Sequence, residues 1–127
     1  MNEQPAIFGD RHAVVTGASR GIGRAIAAAL AAEGARVSLL GRDEGRLSQV
    51  SRELGGTSRA NPVTVDVADA VSVHDAFATV RKHFGPVHIL INSAGQAASA
   101  KFADTDATLW NAILGVQSIV IAGGDVI

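Results

Sequence analysis

Three glycines, Gly17, Gly21 and Gly23, lie between a short apolar run and an alanine-rich segment. The run Val14-Val15-Thr16 is typical of a buried strand, and the segment from residue 22 onward has the composition of a helix. Glycines allow the backbone to approach a phosphate closely, and a helix N-terminus offers unpaired N–H groups with about half a positive charge. The stretch therefore predicts a phosphate-binding turn that opens a βαβ unit.

The spacing Gly17-x-x-x-Gly21-x-Gly23 differs from the common dinucleotide fingerprint G-x-G-x-x-G. With its flanks, the stretch Thr-Gly-Ala-Ser-Arg-Gly-Ile-Gly at residues 16–23 resembles the short-chain dehydrogenase/reductase family. The alternative is that these glycines serve an ordinary turn. The resemblance extends over about residues 10–116 and implies that this stretch binds a nicotinamide dinucleotide. The binding residues it implies here are Gly17, Ser19, Arg20, Gly21, Ile22 and Gly23.

Two later stretches are also similar to that family. The pair Asp66-Val67 follows the third predicted strand, where the resemblance implies contact with the adenine ring; an ordinary surface or helix-capping Asp is the alternative. The turn Asn92-Ser93-Ala94-Gly95 is similar to the family's Asn-Asn-Ala-Gly, with Ser93 in place of the second Asn. It implies that Asn92, Ala94 and Gly95 form the floor beside the cofactor ribose, although a plain turn after a strand has the same composition.

The end of the second predicted strand bears on the choice between NAD(H) and NADP(H). Nucleotide folds selective for NAD place an acid there to bind the ribose 2′-hydroxyl. Here that place is held by Gly41, followed by Arg42, and Arg20 lies in the glycine turn. Because guanidinium groups pair well with phosphate, a 2′-phosphate would suit both arginines. The sequence therefore predicts NADP(H) as the preferred cofactor, with NAD(H) as the alternative; Asp43 is better explained as a helix cap.

The family's catalytic residues have no counterpart in this chain. Such enzymes use a Tyr, a Lys four residues after it, a Ser, and an Asn in the fourth helix. The sequence has no tyrosine, its two lysines are Lys82 and Lys101, and Gln117 stands at the position expected for the Asn. We therefore expect no catalytic residue here. Two hypotheses follow: the cofactor-binding portion of an alcohol/ketone oxidoreductase, or a non-catalytic nucleotide- or partner-binding module derived from that family.

Composition and residue spacing argue against several other kinds of function. Eleven Lys and Arg residues against twelve Asp and Glu give a formal charge of −1, so a nucleic-acid partner is not expected. The chain has no cysteine, which excludes disulfides and thiolate chemistry and is compatible with the cytoplasm. The first eleven residues do not read as a signal peptide or a membrane span. The four histidines lack the spacing of metal ligands, so no metal site is expected.

The elements that must hold these residues alternate between strand and helix. Apolar runs predict strands at residues 12–16, 36–40, 61–67 and 87–91. Helices are predicted over 22–33, from an Asp43 cap to Gly55, from Ser72 to the Gly85-Pro86 stop, and after Thr105 or Asp106 with Leu109, Ile113 and Val116 on one face. Four βα units predict an α/β fold: a truncated, Rossmann-like, doubly wound parallel sheet in the order 3-2-1-4 with right-handed crossovers.

We expect one domain over residues 1–127, with a loose arm at 1–11 and an atypical tail at 117–127. The tail is rich in β-branched residues, which suits a strand better than a helix. A sheet that ended at the fourth strand would leave an edge uncovered. We therefore expect association through that edge and the fourth helix, unless the segment Ile119–Ala122 folds back to pair with it.

Overall fold

A computed structural model describes residues 8–66 and 68–93 and the backbone of a strand at 118–121. Strands and helices alternate along the first of these ranges, as expected for a βαβ fold. In chain order the elements are β1 (His12–Thr16), α1 (Gly21–Ala32), β2 (Arg36–Gly41), α2 (Glu44–Glu53), β3 (Ala60–Thr64), α3 (Ala70–Phe84), β4 (Ile89–Asn92) and β5 (Ser118–Ile121). The predicted fourth helix, with Leu109, Ile113 and Val116, lies outside the described residues.

The five strands form one parallel sheet in the order β3-β2-β1-β4-β5. Val14 at the centre of β1 pairs with Ser38 of β2 on one side and Leu90 of β4 on the other. The predicted order 3-2-1-4 is confirmed. The tail supplies a further strand, in which Ile119 pairs with Leu90 and covers the free edge of β4. Pairing of the tail with that edge, the alternative to association, is therefore observed over Ser118–Ile121, and Ala122 lies outside the described residues.

Apolar side chains cover both faces of the central strands β1, β2 and β4, which are buried as parallel strands usually are. On one face Val15 and Leu39 pack with Leu30 of α1 and Leu47 of α2. On the other face the core is built around Phe77 of α3. It contains Val14, Leu40, Val65, Ala76, Phe77, Val80, Val87 and Leu90. Helices α1 and α2 thus cover one face and α3 the other, which is the doubly wound arrangement.

Two predictions for the ends of α2 and α3 are confirmed, and one is wrong. Asp43 caps α2 as predicted, because its Oδ1 accepts a hydrogen bond from the backbone N of Arg46 at 3.1 Å. Gly85 ends α3 with a φ of +85°, also as predicted. The predicted start of α3 at Ser72 is wrong: the helix begins at Ala70, and Asp69 caps it by accepting from Val71 N at 3.0 Å.

Strand ends differ from the prediction most in β3 and β4. β3 ends at Thr64 instead of residue 67, because Asp66 turns the chain: its backbone oxygen accepts from Asp69 N at 3.0 Å. β4 begins at Ile89 instead of residue 87 and extends to Asn92. Both differences are shifts at element ends, where ladder pairing gives way to turn hydrogen bonds.

The last residues of the predicted loose arm are attached to the domain. Phe8 packs against the α1/α2 core and its N donates to the carbonyl of Glu33 at 2.9 Å. The carbonyl of Arg11 accepts from Arg36 N at 2.8 Å. Residues 8–11 therefore lead directly into β1, and the arm before Phe8 lies outside the described residues. Among the helices that the structure describes, none has the length and apolar character to cross a membrane.

Candidate nucleotide-binding site

The glycine turn joins β1 to α1 at the carboxyl end of the central strand. Gly17 has a φ of +64° and Gly21 a φ of +60°, values that side chains rarely adopt, so the turn requires glycine at both positions. Buried Ala18 donates its N to the carbonyl of Leu40 at 3.1 Å and so fixes the turn to the end of β2. The turn is therefore held between the two strands that it must lie beside to receive a nucleotide.

Gly23 is required for a different reason, since its φ is not positive. It is buried in the first turn of α1, and a Cβ there would lie closer than 3.0 Å to the backbone of Gly17 and to Ser93 Oγ. At Gly21, by contrast, a Cβ would meet no protein atom within 4 Å. Gly23 thus allows the helix to pack on the ends of β1 and β4, whereas at Gly21 the positive φ of the turn is what requires glycine.

The N-terminus of α1 has no capping side chain. Arg20 occupies the cap position in an extended conformation, its side chain makes no cap hydrogen bond, and the first turn holds no acidic residue. Helices α2 and α3 are each capped by an Asp. Because the first N–H groups of a helix lack partners within it, the start of α1 can donate to an anion. Arg20 and Ile22 are exposed beside this turn and Ser19 is half-buried.

The carboxyl ends of β1 and β4 are joined by a buried polar cluster. Thr16 Oγ1 donates to Asn92 Oδ1 at 2.7 Å and accepts from Ser93 N at 3.1 Å. Ser93 Oγ in turn donates to the carbonyl of Thr16. Thr16 and Asn92 are both fully buried, so their hydrogen bond holds the carboxyl ends of β1 and β4 together. Sequence reasoning missed Thr16, although a hydroxyl at the end of an otherwise apolar buried strand signals a required partner.

Arg42 and Asp66, predicted for the 2′-phosphate and the adenine ring, form an ion pair. Arg42 Nη2 lies 3.0 Å from Asp66 Oδ1, with side chains 73% and 49% exposed. The same Oδ1 accepts from Ala68 N at 3.0 Å. Both residues lie at the edge of the sheet that holds the glycine turn, because they follow the carboxyl ends of neighbouring parallel strands. The remaining predicted residues, Val67, Ala94 and Gly95, lie outside the described residues.

A second polar cluster, toward the amino ends of the strands, surrounds His12. Its Nε2 lies 2.7 Å from Ser38 Oγ and its Nδ1 3.0 Å from the carbonyl of Gly85. Because a carbonyl can only accept, Nδ1 carries the proton and Ser38 donates to Nε2. Burial lowers the pKa of His12, and the bond to Gly85 opposes that shift. These contacts satisfy a buried histidine far along β1 from the glycine turn, so His12 is structural.

Residues 8–66 and 68–93 hold no group of three His, Asp or Glu side chains close enough to share an ion. The arrangement at the carboxyl edge instead offers backbone donors, a guanidinium group and a carboxylate. These groups suit a phosphorylated nucleotide.

Comparison with known proteins agrees with this chemistry. The sequence model of the short chain dehydrogenase family matches residues 11–120. An uncharacterized oxidoreductase of Staphylococcus epidermidis is 40% identical over 108 residues, which cover 85% of this chain and 46% of that protein. A second one, from Staphylococcus aureus, is 39% identical over 111 residues, covering 87% and 48%. The chain thus spans about half the length of the curated relatives that it matches.

Among solved structures, a citronellol catabolism dehydrogenase from Pseudomonas aeruginosa superposes with a TM-score of 0.78 at 26% identity. The match covers 94% of this chain and 58% of that one. The fold is therefore shared with a dehydrogenase over nearly all of the present chain.

Proposed function

The chain belongs to the short-chain dehydrogenase/reductase family, and from this premise we propose that it is the NADP(H)-binding portion of an oxidoreductase that interconverts alcohols and ketones. The observation that carries the proposal is the uncapped N-terminus of α1 behind a turn that requires glycine at Gly17 and Gly21. A pyrophosphate placed there would accept from the free N–H groups and interact favourably with the helix dipole.

The adenosine half of the cofactor would lie along the ends of β2 and β3. Asp66 would accept a hydrogen bond from the exocyclic amine of adenine through its carboxylate, which already accepts from Ala68 N. Asn92, with Thr16, would fix the strand ends beneath the ribose. Val67, Ala94 and Gly95 complete the proposed set, as the family resemblance implies.

The preference for NADP(H) rests on the residues that follow β2. No acid stands at the end of this strand to bind a 2′-hydroxyl; the strand ends with Gly41, and Arg42 follows. A guanidinium group there would pair with a 2′-phosphate. NAD(H) remains the alternative, because the Asp66 carboxylate already engages Arg42.

Titration of cofactor fluorescence tests this preference. We expect NADPH to bind more tightly than NADH, and Arg42→Ala to remove most of the difference. A charge-assisted contact is worth about 1.5–3 kcal/mol when desolvated, and the exposure of Arg42 places the effect nearer a few-fold than a hundredfold. Arg46→Ala is the matched control, because Arg46 is also exposed and ion-paired but lies in α2 instead of at the end of β2. Equal affinities that Arg42→Ala leaves unchanged would refute the NADP(H) assignment.

We further propose that these 127 residues transfer no hydride on their own. Carbonyl reduction needs a proton donor, and general acid catalysis typically contributes about 10²–10⁴-fold. The sequence has no tyrosine, and Lys82 lies in the last turn of α3, at the end of the sheet opposite the glycine turn. This favours the second candidate function, a nucleotide-binding module without catalysis. Consumption of NADPH with ketones and oxoacyl thioesters, clearly above a Gly21→Trp control, would refute it.

Four broader expectations remain part of the proposal. The chain would form a single domain, since both cores are built on the same sheet. It would function in the cytoplasm, because a chain without cysteine forms no disulfides and so needs no oxidising compartment. It would associate with a partner through the fourth helix, since β5 covers the edge of β4 through which association was also expected, and it would not bind nucleic acid.

A further inference from the structure

The ion pair between Arg42 and Asp66 is a consequence of strand register. β2 and β3 are paired so that Gly41 lies opposite Thr64, and Val65 N donates to the carbonyl of Gly41 at 2.9 Å. Arg42 follows Gly41 by one residue and Asp66 follows Thr64 by two, so both leave the sheet at the same end, and their side chains meet at 3.0 Å. The two residues proposed to contact different parts of one cofactor thus contact each other.

The carboxylate is the fixed member of this pair. Asp66 Oδ1 accepts from Ala68 N at 3.0 Å, and Asp66 N donates to Ser72 Oγ at 2.9 Å. These two bonds hold the residue in the turn between β3 and α3. The guanidinium group is at the end of a flexible side chain that is 73% exposed. A ligand can therefore move Arg42 more readily than it can move the negative charge of Asp66.

We propose that Asp66 is a determinant of cofactor selectivity, which lowers the preference for a 2′-phosphate by engaging Arg42. A 2′-phosphate carries a charge of about −1.5 to −2 near neutral pH, so it must share Arg42 with a carboxylate that repels it. A ribose 2′-hydroxyl is neutral, so it does not compete with Asp66 for Arg42 and is not repelled by the carboxylate. This inference rests on the proposed function and adds that the adenine-side acid also tunes the choice between NADP(H) and NAD(H).

The experiment compares two probes that contain only the adenosine half of the cofactors. Calorimetry gives the dissociation constants of adenosine 2′,5′-bisphosphate and of adenosine 5′-monophosphate. In Asp66→Asn the amide oxygen can still accept from Ala68 N, but the negative charge is gone. We expect the preference for the bisphosphate to rise about two- to fivefold, the size expected for one exposed ion pair. Any weakening of the adenine contact affects both probes equally and cancels in the ratio.

Two further variants assign the effect to the pair. In an Arg42→Ala background, Asp66→Asn should raise the preference by no more than half as much, because there is no guanidinium group to release. Asp43→Asn is the matched control: it removes the same charge one residue after Arg42, and Asn caps helices as well as Asp. We expect it to leave the ratio within experimental error. If Asp66→Asn folds poorly, Asp66→Ser provides a second neutral acceptor for Ala68 N.

The outcomes separate this inference from the function on which it rests. A ratio that stays constant or falls in Asp66→Asn overturns the inference, and so does an equal rise in Asp43→Asn. In both cases binding of the two probes leaves the proposed function standing. If the unmodified chain binds neither probe, the proposed function fails and the inference fails with it. Raising the ionic strength should reduce the effect of Asp66→Asn, since exposed charges are screened.

Discussion

Gly23→Ala tests whether α1 packs on the strand ends as closely as the structure indicates. The added Cβ would lie closer than 3.0 Å to the carbonyl carbon and oxygen of Gly17 and to Ser93 Oγ. Ser93 can rotate, but the Gly17 backbone is fixed by the turn. Overpacking of this kind costs about 1–3 kcal/mol, and part is offset because Ala favours a helix over Gly by up to about 1 kcal/mol. We expect a net loss of about 1–2 kcal/mol, which lowers Tm by about 4–8 °C.

Gly45→Ala is the matched control for this prediction. Gly45 also lies in the first turn of a helix, and the nearest atom to its Cβ would be Asp43 Oδ1 at 3.6 Å, an ordinary contact. The same substitution should there leave stability unchanged or raise it by up to about 1 kcal/mol. Thermal and urea unfolding followed by circular dichroism measure both variants. In Gly23→Ala, adding Ser93→Ala should restore only part of the loss, because the contact with Gly17 remains. A Gly23→Ala protein as stable as Gly45→Ala would refute the packing argument.

Two further predictions concern stability. Burial lowers the pKa of His12 below its ordinary 6.5, so the folded state favours the neutral ring. The stability that the folded state gains from this preference is fully present above pH 6.5 and is lost as the pH falls through the lowered pKa. Urea midpoints should therefore decline below pH 6.5, less steeply in His12→Gln, and a flat profile in the unmodified chain would contradict this. Asp43→Ala should cost about 1 kcal/mol by removing the α2 cap, whereas Asp43→Asn should not; equal unfolding midpoints for the two variants would show that the cap contributes nothing.

Local chemistry was sufficient to predict most of the fold. The run His12–Thr16 is bounded by a polar residue and a glycine, and β1 has the predicted ends. The start of α3 was not predictable in this way, because Asp69 and Ser72 are both good caps three residues apart. The contact that decides between them is tertiary: Ser72 Oγ accepts from Asp66 N, and Asp69 is left to cap the helix. A local pattern cannot distinguish two equivalent caps when one of them is used elsewhere.

The candidate site was predictable to a similar extent. Glycine spacing indicated the turn, because a positive φ and a close approach both leave a mark on the sequence. The pairing of Arg42 with Asp66 depends on which residues of β2 and β3 lie opposite each other, and no local pattern records that register. The bond from Thr16 to Asn92 likewise joins residues far apart in sequence. Residue types therefore indicated the chemistry, and the sheet determined which groups meet.

The N-terminus of α1 differs from those of α2 and α3 in a way that helix stability does not explain. α2 and α3 each begin with an Asp whose side chain accepts from their own first turn, a contact worth about 1 kcal/mol. α1 begins with Arg20 and lacks that contact, although it packs on the central strands and its first turn contains two glycines that favour a helix poorly. A bound phosphate would supply the missing acceptor. A carboxylate cap on α1 would occupy the same N–H groups, so a side-chain cap and the proposed phosphate would exclude each other.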